Sequence, residues 1–150
     1  MKSRRSGKGM RPPAKPGRRA ISSREPRPIL LVEDHNVARA TMKSLLQWHG
    51  YVVTVADSGP QALHLLRNGL NPCLILLDVD MRGQAGYQFR RDQLHDDQLA
   101  AIPVVAYSGL YDPQIAAAQL RAFAYFTTPF DLPRFLGVIA AHCSRQRSAA

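Results

Sequence analysis

The chain has 150 residues, enough for one domain with a proper core. Its formal net charge is +9, but residues 1–28 hold ten Lys/Arg against one acid, Glu25, and the remainder is balanced at ten of each. The basicity therefore describes a tail and not a nucleic-acid-binding fold; no apolar run of about eighteen residues exists, which excludes a spanning helix, and the tail lacks the hydrophobic stretch of a secretory signal, so the expected location is cytoplasmic.

Residues 1–28 carry five prolines and three glycines and almost no large apolar side chain. Such a segment cannot bury enough surface to offset the cost of ordering, and a disordered basic tail is expected. It reads either as a solvated leader or as an arm touching nucleic acid, anionic lipid or an acidic partner; nothing in the chain resembles a helix-turn-helix.

From Ile29 the pattern alternates between strands and helices. Strand 1 is expected at Ile29–Val32. Helix 1 runs from about Asn36 to Trp48, with Ala38, Met42, Leu45 and Leu46 on its apolar face and Arg39, Lys43 and Gln47 on its wet face; Gly50 stops it and Trp48 covers its end. Strand 2 is Tyr51–Ala56. Helix 2 begins near Ser58-Gly59-Pro60 and closes at Asn68-Gly69. Strand 3 is Cys73–Leu77, and a glycine-containing loop, 82–86, leads to helix 3 at about Tyr87–His95. Strand 4 is Ile102–Tyr107 and helix 4 Pro113–Leu120, capped by Asp112. Strand 5 is Ala122–Phe126. Helix 5 follows Asp131, with Leu132, Phe135, Leu136, Ile139 and Cys143 as its buried stripe, and residues 145–150 are frayed. This alternation argues βαβ units, right-handed crossovers and a parallel sheet covered on both faces.

Cys73 and Cys143 lie far apart without a CxxC, and are expected to be unpaired, buried and apolar in a reducing compartment. The five histidines show no HxxxH spacing and suggest no zinc site.

Two strands end abruptly in acid. Ile29–Val32 runs into Glu33-Asp34, and Cys73–Leu77 stops at Asp78. In open α/β sheets ligands sit at the carboxyl ends of strands, and neighbouring strands would bring these three carboxylates together, a donor set that suits Mg²⁺.

Residues 29–144 resemble the receiver domain of two-component response regulators. The acids Glu33-Asp34 stand where the family has its metal-binding pair, and Asp78 where it has its phosphoacceptor. LLDVDMRGQAG is similar to the family's segment of Asp, two residues, Met-Pro, three residues and Gly. Ser108 matches the switch Ser/Thr, Tyr125 the aromatic switch position, and Thr128-Pro129-Phe130 the family's Lys-Pro-Phe. The resemblance implies a flavodoxin-like, doubly wound five-stranded parallel sheet in order 2-1-3-4-5 with five helices. It implies Mg²⁺ held by Asp34 and Asp78 directly, by Glu33 through water, and by the main-chain carbonyl of Asp80. It further implies that Ser108 contacts the phosphoryl group and that Tyr125 follows it inward, changing the face of helix 4, strand 5 and helix 5, through which a homodimer is also conceivable.

The departures are Thr128 in place of lysine, Arg82 in place of proline and Ala85 where an acid is common. Without the lysine, metal binding should survive or tighten, while a phosphoryl dianion should be less welcome and the switch weaker. Arg82 either reaches the pocket as a substitute cation or faces solvent. The leading expectation is a single-domain response regulator, not an enzyme, that accepts a phosphoryl group on Asp78 from a histidine kinase or phosphotransfer protein and signals by protein–protein contact. Two alternatives are a phosphorylation-independent pseudo-receiver and a haloacid-dehalogenase-like phosphatase using Asp78-Val79-Asp80.

Overall fold

A computed structural model describes residues 25–146. Most of the expected basic tail and residues 147–150 lie outside that range. Five strands and five α-helices alternate: β1 Ile29–Val32, α1 Asn36–Trp48, β2 Val53–Ala56, α2 Gly59–Arg67, β3 Leu74–Asp78, α3 Ala85–Leu94, β4 Val104–Ser108, α4 Pro113–Leu120, β5 Ala124–Thr127 and α5 Leu132–His142. A short 3₁₀ turn, Arg82–Gln84, leads into α3. The strands form one parallel sheet in the order β2-β1-β3-β4-β5, as expected.

The alternation of side chains along each strand splits the core into layers. Ile29, Leu31, Leu74 and Leu76 face one way and pack with Leu46 of α1 and Phe135 and Ile139 of α5. Leu30, Val32, Ile75 and Leu77 face the other way, onto Ala62, Leu63 and Leu66 of α2 and Phe89 of α3. A smaller cluster seats Ala116 and Leu120 of α4 on Val79 and Ala106. The central strands β1 and β3 are buried on both faces, which is why they read as unbroken apolar runs.

Four sequence expectations are corrected. Strands β2 to β5 begin one to two residues later than expected, and β3, β4 and β5 also end one residue later. The ladder pairs Asp78 with Tyr107 and Ser108 with Thr127, so the polar site residues finish the strands instead of following them. The inward side of α1 differs in part from the expected one: Met42, Leu45 and Leu46 turn inward as expected, but Ala38 is exposed, whereas Arg39 and Lys43 are half-buried. Arg39 turns in because its guanidinium donates to the carbonyl oxygen of Glu33 at 3.0 Å and to Asn36 Oδ1 at 2.7 Å. Trp48 covers nothing, being 87 % exposed, and Leu132 is likewise exposed.

The fourth correction concerns the cysteines. Cys73 and Cys143 form a disulfide, with Cα atoms 5.4 Å apart across 70 positions of sequence. The start of β3 and the C-terminal end of α5 meet at one end of the sheet, a proximity that sequence spacing does not reveal. Near that end Arg27 donates to the main-chain oxygens of Asn71 and Pro72, so the tail is anchored where it enters the fold.

Candidate functional site

β1 and β3 are neighbours, so their carboxyl ends meet. One carboxylate oxygen from each of Glu33, Asp34 and Asp78 lies within 4.8 Å of the other two. Glu33 and Asp78 are buried and Asp34 is half-buried. Among the described residues the one ion pair joins Arg67 to Asp96, far from this trio in the fold, so the three acids have no cationic side-chain partner.

The consequence falls on Asp78, whose pKa is pushed up from an ordinary 3.8 to about 8. Burial is the largest cause. The hydrogen-bonded carboxyl of Glu33 adds to it, and the charges of Glu33 and Asp80 add further; the Asp80 N–H, donating to Asp78 Oδ1 at 2.9 Å, opposes them.

Each of the other acids is held by a donor. Tyr107 Oη donates to Glu33 Oε2 at 2.5 Å, and the His35 N–H donates to Glu33 Oε1 at 3.1 Å. Burial, followed by the charge of Glu33, lifts the Tyr107 phenol far above its usual range and keeps it a donor. Sequence reasoning missed Tyr107. The available signal is a tyrosine inside an otherwise apolar buried strand, where its hydroxyl must find a partner. Asp34 Oδ2 accepts from the Arg82 N–H at 3.2 Å. The Arg82 side chain itself is exposed and makes no hydrogen bond or ion pair among the described residues, so its main chain rather than its charge meets the acids.

Asp80 goes elsewhere. Its side chain is not part of the acid trio. Ser108 Oγ donates to Asp80 Oδ1, and the Gly109 N–H donates to Asp80 Oδ2 at 2.7 Å. Ser108 is fully buried at the end of β4. Tyr125 is half-buried, its hydroxyl enclosed and without a hydrogen-bond partner among the described residues. Burial pushes its pKa up, the negative charge of Asp80 adds to that, and the neighbouring Ser108 hydroxyl works the other way. Thr128 is exposed; its N–H donates to the Ser108 carbonyl at 2.9 Å, which sets it beside the site.

Gly86 fixes how closely α3 meets β3. A Cβ there would stand 2.8 Å from the Asp78 carbonyl oxygen and 3.1 Å from Val79 Cα, closer than packed atoms tolerate. Only glycine allows α3 to start against the strand end that carries Asp78.

Among the described residues, three hard oxygen donors with no nitrogen or sulfur ligand and no competing cation fit a hard divalent ion better than zinc.

Comparison with known proteins identifies the family and the fold. The model of the response regulator receiver domain matches residues 29–140. The polar-differentiation response regulator DivK of Brucella anthropi is 28% identical over 119 residues, covering 78% of this chain and 96% of the relative. Among solved structures, a response regulator from Chloroflexus aurantiacus shares the fold with a TM-score of 0.69 at 24% identity, covering 78% of this chain and 97% of that one. The chemotaxis protein CheY4 of Vibrio cholerae does so with a TM-score of 0.66 at 22% identity, covering 76% and 96%. With its sheet order, its strand-end acids and this match over most of its length, the chain belongs to the response regulator receiver domain family of two-component signal transduction.

Proposed function

We propose that this receiver domain accepts a phosphoryl group on Asp78, with Mg²⁺ bound by Asp34 and Asp78, by Glu33 through water, and by the main-chain carbonyl of Asp80. The observation that carries this reading is the trio of carboxylates within 4.8 Å at the carboxyl ends of β1 and β3. Asp78 Oδ1 is engaged by the Asp80 N–H, which leaves the other oxygen to attack phosphorus. The P–N bond of a phosphohistidine donor would break as the new P–O bond forms, and the imidazole would leave with the electron pair. Bound Mg²⁺ would neutralise charge on the transferring group and keep Asp78 ionised. Tyr107 and the His35 N–H hold Glu33 by hydrogen bonds that do not consume the metal-facing charge of Asp34 and Asp78. Ser108 is the hydroxyl assigned to a phosphoryl oxygen, and Tyr125 the residue that relays its position to α4, β5 and α5. The donor would be a histidine kinase or a phosphotransfer protein.

The output would be protein–protein contact. Ile115 and Phe123 are exposed on α4 and just before β5, which supports that face as a contact surface, a homodimer included. Among the described residues no helix is long and apolar enough to cross a membrane. Nucleic-acid contact, if any, belongs to the basic tail, most of which lies outside the described residues. The dehalogenase-like reading gives way to the family assignment.

A second reading, a pseudo-receiver that binds partners without phosphorylation, is favoured by one observation: uncharged, exposed Thr128 stands beside Ser108 where the resemblance leads one to expect lysine. Intact-protein mass after incubation with Mg²⁺ and acetyl phosphate separates the two. The proposal expects a base-labile gain of one phosphoryl group in the wild type and none in Asp78→Asn. No gain in the wild type, with a gain in Thr128→Lys, would establish the pseudo-receiver.

A further inference from the structure

The end of β4 presents two donors side by side, the Ser108 hydroxyl and the Gly109 N–H, and both are taken by one carboxylate, that of Asp80. Ser108 Oγ is saturated on its acceptor side as well, receiving the N–H groups of Leu110 at 3.0 Å and Tyr111 at 3.1 Å. The loop after β4 is therefore folded around the Ser108 hydroxyl, and that hydroxyl is aimed at an anion supplied by the chain itself. Asp80 is joined to the phosphoacceptor position by its own backbone, its N–H donating to Asp78 Oδ1 at 2.9 Å. Next to this contact the Tyr125 hydroxyl is already enclosed, in the field of the Asp80 charge.

We propose that the Asp80 carboxylate is a built-in occupant of the phosphoryl-binding position, holding Ser108 and Tyr125 in the engaged packing before any phosphoryl group arrives. This inference rests on the reading of Asp78 as phosphoacceptor. Two consequences follow from like charge and shared donors. A phosphoryl group entering on Asp78 must displace Asp80 from Ser108 and Gly109, because one hydroxyl hydrogen and one N–H cannot serve two anions. The loop after β4 and Tyr125 change little when that exchange occurs, because one anion replaces another. Among the described residues no cationic side chain favours the newcomer over Asp80: Thr128 is uncharged, Arg82 is exposed, and no ion pair reaches this corner. Asp80 is thus a positioning residue that sets both a slow rate of phosphoryl acceptance and a high resting occupancy of the engaged state.

The test uses the full chain as wild type, Asp80→Ala and Asp80→Asn, with two readouts. The first is the amide resonances of Gly109, Leu110 and Tyr111 and the ring resonances of Tyr125, recorded without metal or phosphodonor and again with Mg²⁺ and beryllofluoride. The second is the initial rate of phosphoryl gain from acetyl phosphate by intact mass. Charge-assisted hydrogen bonds of this kind lead us to expect labelling about tenfold faster in Asp80→Ala, with Asp80→Asn between the two. In Asp80→Ala the resting resonances should move away from the wild-type positions and return toward them on adding beryllofluoride; in the wild type beryllofluoride should shift them little. Equal labelling rates in all three proteins, or wild-type resonances that move as far as those of Asp80→Ala, overturn the role of Asp80 alone. Absence of labelling and of beryllofluoride binding in every variant overturns the phosphoacceptor reading, and the occupant falls with it. Asp80→Asn keeps the side chain's shape, so a folding defect in the alanine variant does not hide the answer.

Discussion

Replacing Asp78 by asparagine should stabilise the protein in metal-free buffer, and the gain should depend on pH. In the folded chain the Asp78 carboxyl holds its proton to about pH 8, whereas in the unfolded chain it ionises near 3.8. The folded state therefore binds the extra proton throughout that interval, and stability falls as pH rises from about 4 to about 8. pH 7 lies roughly three units above the unfolded value, which corresponds to at most about 4 kcal/mol at 1.36 kcal/mol per unit. Residual solvent access at the strand end discounts that upper bound, and a gain of about 2 kcal/mol is expected for Asp78→Asn at pH 7. For a domain of this size that raises Tm by roughly 5–10 °C. Thermal unfolding of both proteins in EDTA at pH 4.5, 6 and 7.5 measures it. The difference should be smallest at the lowest pH, about a quarter of its pH 7 value, and widen upward. A difference independent of pH, or an asparagine variant less stable than wild type at pH 7.5, would refute the reasoning.

Three further outcomes follow from the same geometry. Mg²⁺ at ten times its dissociation constant should add about 1.4 kcal/mol to wild-type stability at neutral pH; the effect should vanish in the double variant Asp34→Asn, Asp78→Asn, and urea unfolding with and without the ion checks it. Tyr107→Phe leaves Glu33 Oε2 buried without its donor and should cost about 1–3 kcal/mol in the same assay. Thiol titration of the unreduced, denatured protein should find no free thiol, and reduction should lower stability by about 4 kcal/mol for a loop closed across 70 positions.

What could be read from the residues was governed by how locally each feature is encoded. Glu33, Asp34 and Asp78 were legible because a carboxylate that ends an apolar run belongs at the wet end of a buried strand, and the strand order followed from the alternation of elements together with the resemblance. The inward turn of Arg39 was not legible, since helical spacing alone assigns a charged side chain to water; its cause is a carbonyl at the end of β1. The pairing of Cys73 with Cys143 needed the sheet order and the length of α5 together. Tyr107 and Asp80 were obscured for a related reason. Their partners, Glu33 just after β1 and Ser108 at the end of β4, are distant in sequence, and only the register that ends β4 at Ser108 brings them within reach. The role of Thr128 shows the converse: a missing charge is easily seen in sequence, but what fills the space beside it is not.

The central claim, that Asp78 is the phosphoacceptor, is tested most directly by trapping. Protein treated with Mg²⁺ and acetyl phosphate is reduced with borohydride, which converts an aspartyl phosphate to homoserine, and peptide mass spectrometry locates the change. Homoserine at position 78 alone is the predicted result. Homoserine at position 34 or 80, or at no position while the protein is folded and binds Mg²⁺, would contradict the account.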